Sequence, residues 1–166
     1  MDEDGRLLLH RAICDNAASL GAIKLLVKAN PSAIHVRDRQ GLLSLHLACC
    51  QSTSDAVQFL AELDQSFLED RDANGNSLLH LACQSGNYGA VKYLSQTPLV
   101  SSGNNDCLLP VHVLCVISGE NESTEYTEAI WHLLVAHPEV MPSTLHGNDT
   151  TNKRKRSSVR IETGHK

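Results

Sequence analysis

Histidine and cysteine stand three residues apart three times in this chain, as His46 and Cys49, His80 and Cys83, and His112 and Cys115. Both residue types bind zinc, and a cysteine beside a histidine base is also half of a thiol hydrolase. A zinc site needs its ligands, usually four, to converge within about 2.0–2.3 Å of one ion. One H-x-x-C pair supplies two at most. A hydrolase needs a single activated cysteine, an oriented base and an oxyanion hole. Three copies of one pair are what a structural rule produces. The sequence contains no Gly-x-Ser-x-Gly, no phosphate-loop pattern and no Gly-x-Gly-x-x-Gly. Metalloenzyme and thiol hydrolase therefore rank last among the readings, and no metal, cofactor or small-molecule substrate is expected.

The composition fits an ordinary globular chain: 166 residues, 42% hydrophobic and 20% charged. Aromatics supply only 4%, so a core must be built from Leu, Val, Ile, Ala and Cys in thin, close-packed layers. The longest apolar runs, such as Leu7-Leu8-Leu9 and Leu133–Ala136, are far too short to span a bilayer. The start, Met1-Asp2-Glu3-Asp4, lacks the basic-then-apolar pattern of a secretory signal. The expectation is a cytoplasmic protein with six reduced cysteines. Charge is unevenly spread. Residues 1–140 hold 8 basic and 17 acidic groups, a net of -9, whereas residues 141–166 hold 6 basic and 2 acidic. An acidic body repels phosphate, so nucleic acid could be met only through the tail.

The pairs belong to a longer repeat. Asp2-x-x-Gly5, Asp38-x-x-Gly41 and Asp72-x-x-Gly75 each precede a Leu-rich run containing His10, His46 or His80, and Asn104-x-x-Cys107 precedes His112. The histidines are 36, 34 and 32 residues apart. Asp-x-x-Gly is turn chemistry, in which the carboxylate bonds the backbone ahead and glycine takes a positive φ at low cost. Each Leu-His run suits a short buried helix. A second apolar stripe at i, i+1, i+4 follows in every copy: Ala22, Ile23 and Leu26; Ala56, Val57 and Leu60; Ala90, Val91 and Leu94; Ala129, Ile130 and Leu133. Pro31, Pro98 and Pro138 stand where these stripes end. One unit is thus turn, short helix, loop, second helix and an extended return.

This pattern resembles the ankyrin-repeat family, whose unit of about 33 residues carries a Thr-Pro-Leu-His-x-Ala motif. The third copy is most similar, with Asp72, Gly75, Ser77, Leu79, His80, Ala82, Gly86, Val91 and Leu94 in register. The second has Thr53 in place of the mid-repeat glycine, and the first has two extra residues before its second helix. The fourth keeps Pro110 and His112, but has Cys107 for glycine and about seven extra residues around 118–124. The resemblance implies an all-α solenoid of helix-turn-helix units joined by β-hairpin-like turns over residues 1–140, with repeats at about 2–37, 38–71, 72–103 and 104–140. A flexible, disordered tail is expected at 141–166. It also implies that His10, His46, His80 and His112 open the first helices and tie adjacent hairpins together. Cys49, Cys83 and Cys115 fall where the family wants a small buried residue, and Cys14 and Cys50, one step further on, are expected to be more exposed.

For function, the resemblance implies a non-catalytic module that binds a protein through its hairpin tips and the exposed face of its first helices, as an adaptor, scaffold or inhibitor. The tip positions are Glu3, Asp4, Arg37, Arg39, Gln40, Arg71, Ala73, Asn74 and Asn105, and the helix-face positions are Cys14, Asp15, Cys50, Gln51, Gln84 and Ser85. Arg37, Arg39 and Arg71 make a basic strip suited to an acidic partner segment. Lys153, Arg154, Lys155 and Arg156 form a basic run of nuclear-localisation type. The rival reading is a nuclear regulator of nucleic-acid function that uses this tail.

Overall fold

A computed structural model describes residues 4–15, 19–51, 54–117, 123–136 and 138. The tail at 141–166, with its basic run, lies outside the described residues, as does Glu3. Four helix pairs follow in chain order: α1 (Leu8–Cys14) with α2 (Leu20–Ala29), α3 (Ser44–Cys50) with α4 (Ser54–Leu63), α5 (Leu78–Ser85) with α6 (Tyr88–Leu94), and α7 (Pro110–Ile117) with α8 (Thr124–Ala136). The first helices stack in the order α1, α3, α5, α7, and the second helices form a parallel row, α2, α4, α6, α8. Among the described residues there is no strand, only an isolated antiparallel bridge between Arg71 and Ser77.

The described Asx residues, Asp38, Asp72 and Asn104, build their turns as the sequence predicts, and Asp2 lies outside the described residues. Asp38 Oδ1 accepts from the Gln40 and Leu42 amides, both at 2.9 Å, Asp72 Oδ1 from Asn74 and Asn76 at 2.8 Å, and Asn104 Oδ1 from Asp106 and Leu108 at 3.0 Å. The residue three places on is left-handed in every copy: φ is +70° at Gly5, +79° at Gly41 and +73° at Gly75. Cys107 takes the same conformation, at φ +59°, without glycine's freedom.

The second helices end in 3-10 turns at Pro31–His35, Gln65–Glu69 and Pro98–Ser101, and Pro31 and Pro98 start two of them. The return is therefore coiled before it extends. Proline suits that first position because an unpartnered amide is lost there anyway. Gly86, at φ +69°, closes α5, and Asn87 opens α6 by accepting from the Ala90 amide at 3.1 Å.

The core is a continuous aliphatic band that includes Leu9, Ile13, Val57, Leu60, Leu79, Leu94, Leu114 and Leu133, with Phe67 as its buried aromatic. Burying one such leucine contributes roughly 1.5–3 kcal/mol. Three histidines lie inside it, His10, His46 and His80, each 1% exposed or less.

Candidate interaction surface

The histidines share one local geometry. Nδ1 accepts from the backbone amide three residues earlier: Leu7 to His10 at 3.2 Å, Leu43 to His46 at 3.1 Å, Ser77 to His80 at 3.2 Å and Leu109 to His112 at 3.1 Å. This satisfies an amide left orphaned at the start of each first helix. It also fixes the neutral tautomer, with the proton on Nε2. At His80 that proton is used across the repeat boundary, since Nε2 donates to the Leu108 carbonyl at 2.8 Å.

Among the described residues, the tie expected of all four histidines is therefore formed in full at His80 alone. His10 Nε2 and His46 Nε2 are buried without a partner in bonding geometry. The Val36 and Leu42 carbonyls near His10 favour its protonation, but desolvation outweighs them. His112 is exposed, because among the described residues no further repeat covers it. Burial pushes the pKa of His10, His46 and His80 below the ordinary imidazole value.

Cys49 and Cys83 are buried as expected, whereas Cys115 is exposed for the same reason as His112. Cys14 is half-buried and Cys50 exposed. Desolvation drives the Cys49 and Cys83 thiols well above the usual range. A nucleophilic thiol needs the opposite shift. Among the described residues, no three His, Cys, Asp or Glu side chains converge as a metal site would require.

Adjacent hairpins are stitched by their tips. The Arg39 amide donates to the Asp4 carbonyl at 2.9 Å and the Asn105 amide to the Asn74 carbonyl at 3.1 Å. Asn105 Nδ2 also reaches the Ala73 carbonyl at 3.4 Å. Arg37 and Arg71 act as clamps. Arg37 donates to the Gly41 carbonyl at 2.8 Å in its own turn and pairs with Asp70 of the next repeat boundary at 2.6 Å. Arg71 donates to the Gly75 carbonyl at 2.8 Å and to the Gly103 carbonyl at 3.0 Å. All three arginines of the basic strip are exposed, but Arg37 and Arg71 are engaged along the hairpins, whereas Arg39 stands at a tip. The Arg-Asp step at 37–38 and again at 71–72 was the signal for this clamp.

Ser85 is also a structural residue, with its hydroxyl donating to the Cys49 carbonyl of the preceding repeat at 2.7 Å. Asn87 Nδ2 reaches the Ala48 and Cys49 carbonyls at 3.4 Å. Gln40, Ala73, Asn74, Asn105, Cys50 and Gln84 remain exposed, Asp15 likewise, and Gln51 is half-buried. In register, four residues after each motif histidine, Cys14, Cys50, Gln84 and Val116 make an uncharged line along the first helices.

A family model described as ankyrin repeats, three copies, matches residues 9–99. The chain belongs to the ankyrin-repeat family. Ankyrin repeats are generally protein-interaction modules and typically non-catalytic. The match stops short of α7 and α8, the pair whose sequence departs furthest from the ankyrin pattern, yet these helices continue the stack. No curated protein matches the chain. No helix among the described residues is long and apolar enough to cross a membrane.

Proposed function

We propose that this ankyrin-repeat chain is a non-catalytic adaptor, scaffold or inhibitor that holds one protein segment along its hairpin tips and first-helix face. The observation that carries the reading is the contrast between backbone and side chains at the tips. The amides of Arg39 and Asn105 are fixed to the neighbouring hairpin, while the side chains of Arg39, Gln40 and Asn74 are exposed. A rigid backbone presenting exposed polar groups loses little entropy on binding. The line Cys14, Cys50, Gln84 and Val116 then suits an uncharged stretch of partner, and Arg39 an acidic residue beside it.

Cross-linking capture from cell extract, read by mass spectrometry, tests this. Arg39→Glu combined with Asn74→Arg should lose the captured protein while keeping the parent's melting midpoint. Lys24→Glu with Gln58→Arg on the second helices should not. The reverse pattern removes the reading.

A further inference from the structure

Burial at equivalent positions separates two end faces of the stack. Leu8 of α1 corresponds to Ser44, Leu78 and Pro110, all buried, but is itself 68% exposed. Ala22 and Leu26 of α2 correspond to buried Ala56 and Leu60, Ala90 and Leu94, and Ala129 and Leu133, yet Ala22 and Leu26 are only half-buried. These three residues form the face that each later repeat presents to the one before it. Among the described residues, the opposite face is uncovered in the fourth repeat. His112 and Cys115 are exposed where His80 and Cys83 are buried, and Ile130 and Leu134 are half-buried where Val91 and Ser95 are buried.

Among the described residues, neither end carries the polar outer surface that closes a solenoid. Both keep the residue types that make the internal interfaces. His112 has its Nδ1 held by the Leu109 amide, as His80 has by Ser77, leaving Nε2 to donate outward. In the internal copy that proton meets a carbonyl of the next hairpin.

We propose that these two faces bind each other between copies, the α7–α8 end of one chain receiving the α1–α2 end of the next. A second copy is the occupant because the complementary face is present in this same chain. Thr144-Leu145-His146 stands 34 residues after His112, without an i, i+1, i+4 apolar stripe between it and residue 166. Arg11 stands where Leu47 and Leu81 do, so the contact carries a charge at its edge that the internal interfaces lack. This favours reversible association. The contact is head to tail, and such an interface grows step by step unless its rotation closes a ring.

Light scattering on the full chain in reducing buffer, over a concentration series, reads the association. The expected result is a mean mass that rises with concentration through successive copies or to a closed ring. Leu8→Glu and Cys115→Glu each block one face and should each give a monomer. Glutamate suits the first turn of α1, and Cys115 is exposed, so both variants should melt like the parent at low concentration. Mixing the two should restore a 1:1 dimer, because each retains the face the other lacks. A parent that stays monomeric at every concentration overturns the proposal. So does a dimer blocked by only one variant, which signals like-to-like pairing, or an assembly that forms only without reductant.

Discussion

Replacing Cys107 with glycine should stabilise the protein. Cys107 occupies the turn position filled by Gly5, Gly41 and Gly75 elsewhere, with φ at +59°. A left-handed conformation costs an L-residue roughly 1–2 kcal/mol. Glycine removes that cost but gives the unfolded chain more freedom, about 0.4–1 kcal/mol in the other direction. The Cys107 side chain is exposed, so little packing is lost. The net gain should be about 0.5–1 kcal/mol, or roughly 1–4 °C in melting temperature. Two glycines supply the opposite test. An added Cβ at Gly41 meets nothing within 4 Å, so Gly41→Ala isolates the backbone term and should cost about 1 kcal/mol. At Gly75 the added carbon would strike the Asn105 side chain and approach its backbone nitrogen to 3.0 Å. Gly75→Ala should therefore cost about 2 kcal/mol or more. Urea unfolding followed by circular dichroism gives all three values. Cys107 lies in an end repeat, so its gain should appear in the first part of the transition if the array unfolds stepwise. A Cys107→Gly protein no more stable than its parent, or Gly41→Ala as costly as Gly75→Ala, refutes the turn argument.

Stability should fall in mild acid. Burial lowers the pKa of His10, His46 and His80, so the unfolded chain takes up their protons first as pH drops through about 6.5. The stabilisation is complete above that pH, and below it each histidine removes at most about 1.4 kcal/mol per pH unit. Urea midpoints at pH 7.5 and 5.5 compare the two regimes, and equal midpoints contradict the burial. Asp38→Ala should cost about 2–4 kcal/mol in urea unfolding, because it orphans the Gln40 and Leu42 amides and leaves Arg6 without the carboxylate 3.3 Å away. A thiol reagent should modify Cys107 and Cys115 at once, Cys50 more slowly because desolvation raises its thiol pKa, and Cys49 and Cys83 only on unfolding. A fast reaction at either buried thiol, located by mass spectrometry, counts against their structural role.

The turns and helix pairs were legible because their signals are local. Asx at the turn start, glycine three residues on and a stripe at i, i+1, i+4 all act within one unit. The contacts between units were harder to see. Nothing near His46 or His80 in sequence tells which Nε2 finds a carbonyl, since that depends on how closely the next hairpin approaches. Cys115 and His112 carry the same local motif as Cys83 and His80, yet they are exposed because burial comes from a neighbour and not from the motif. Arg37, Arg71 and Ser85 gain their cross-repeat partners only from the adjoining repeat, as Asp70, the Gly103 carbonyl and the Cys49 carbonyl.

The recurring histidine and cysteine are held to be parts of the scaffold and not of a metal or catalytic centre. Urea unfolding of the parent with and without a strong zinc chelator, beside His80→Ala and His46→Ala, tests this most directly. The chelator should leave the parent's curve unchanged. His80→Ala should lose about 1–2 kcal/mol more than His46→Ala, because only His80 bonds the next hairpin. A parent that the chelator destabilises, with both histidine variants insensitive to it, would make the motif a metal site after all.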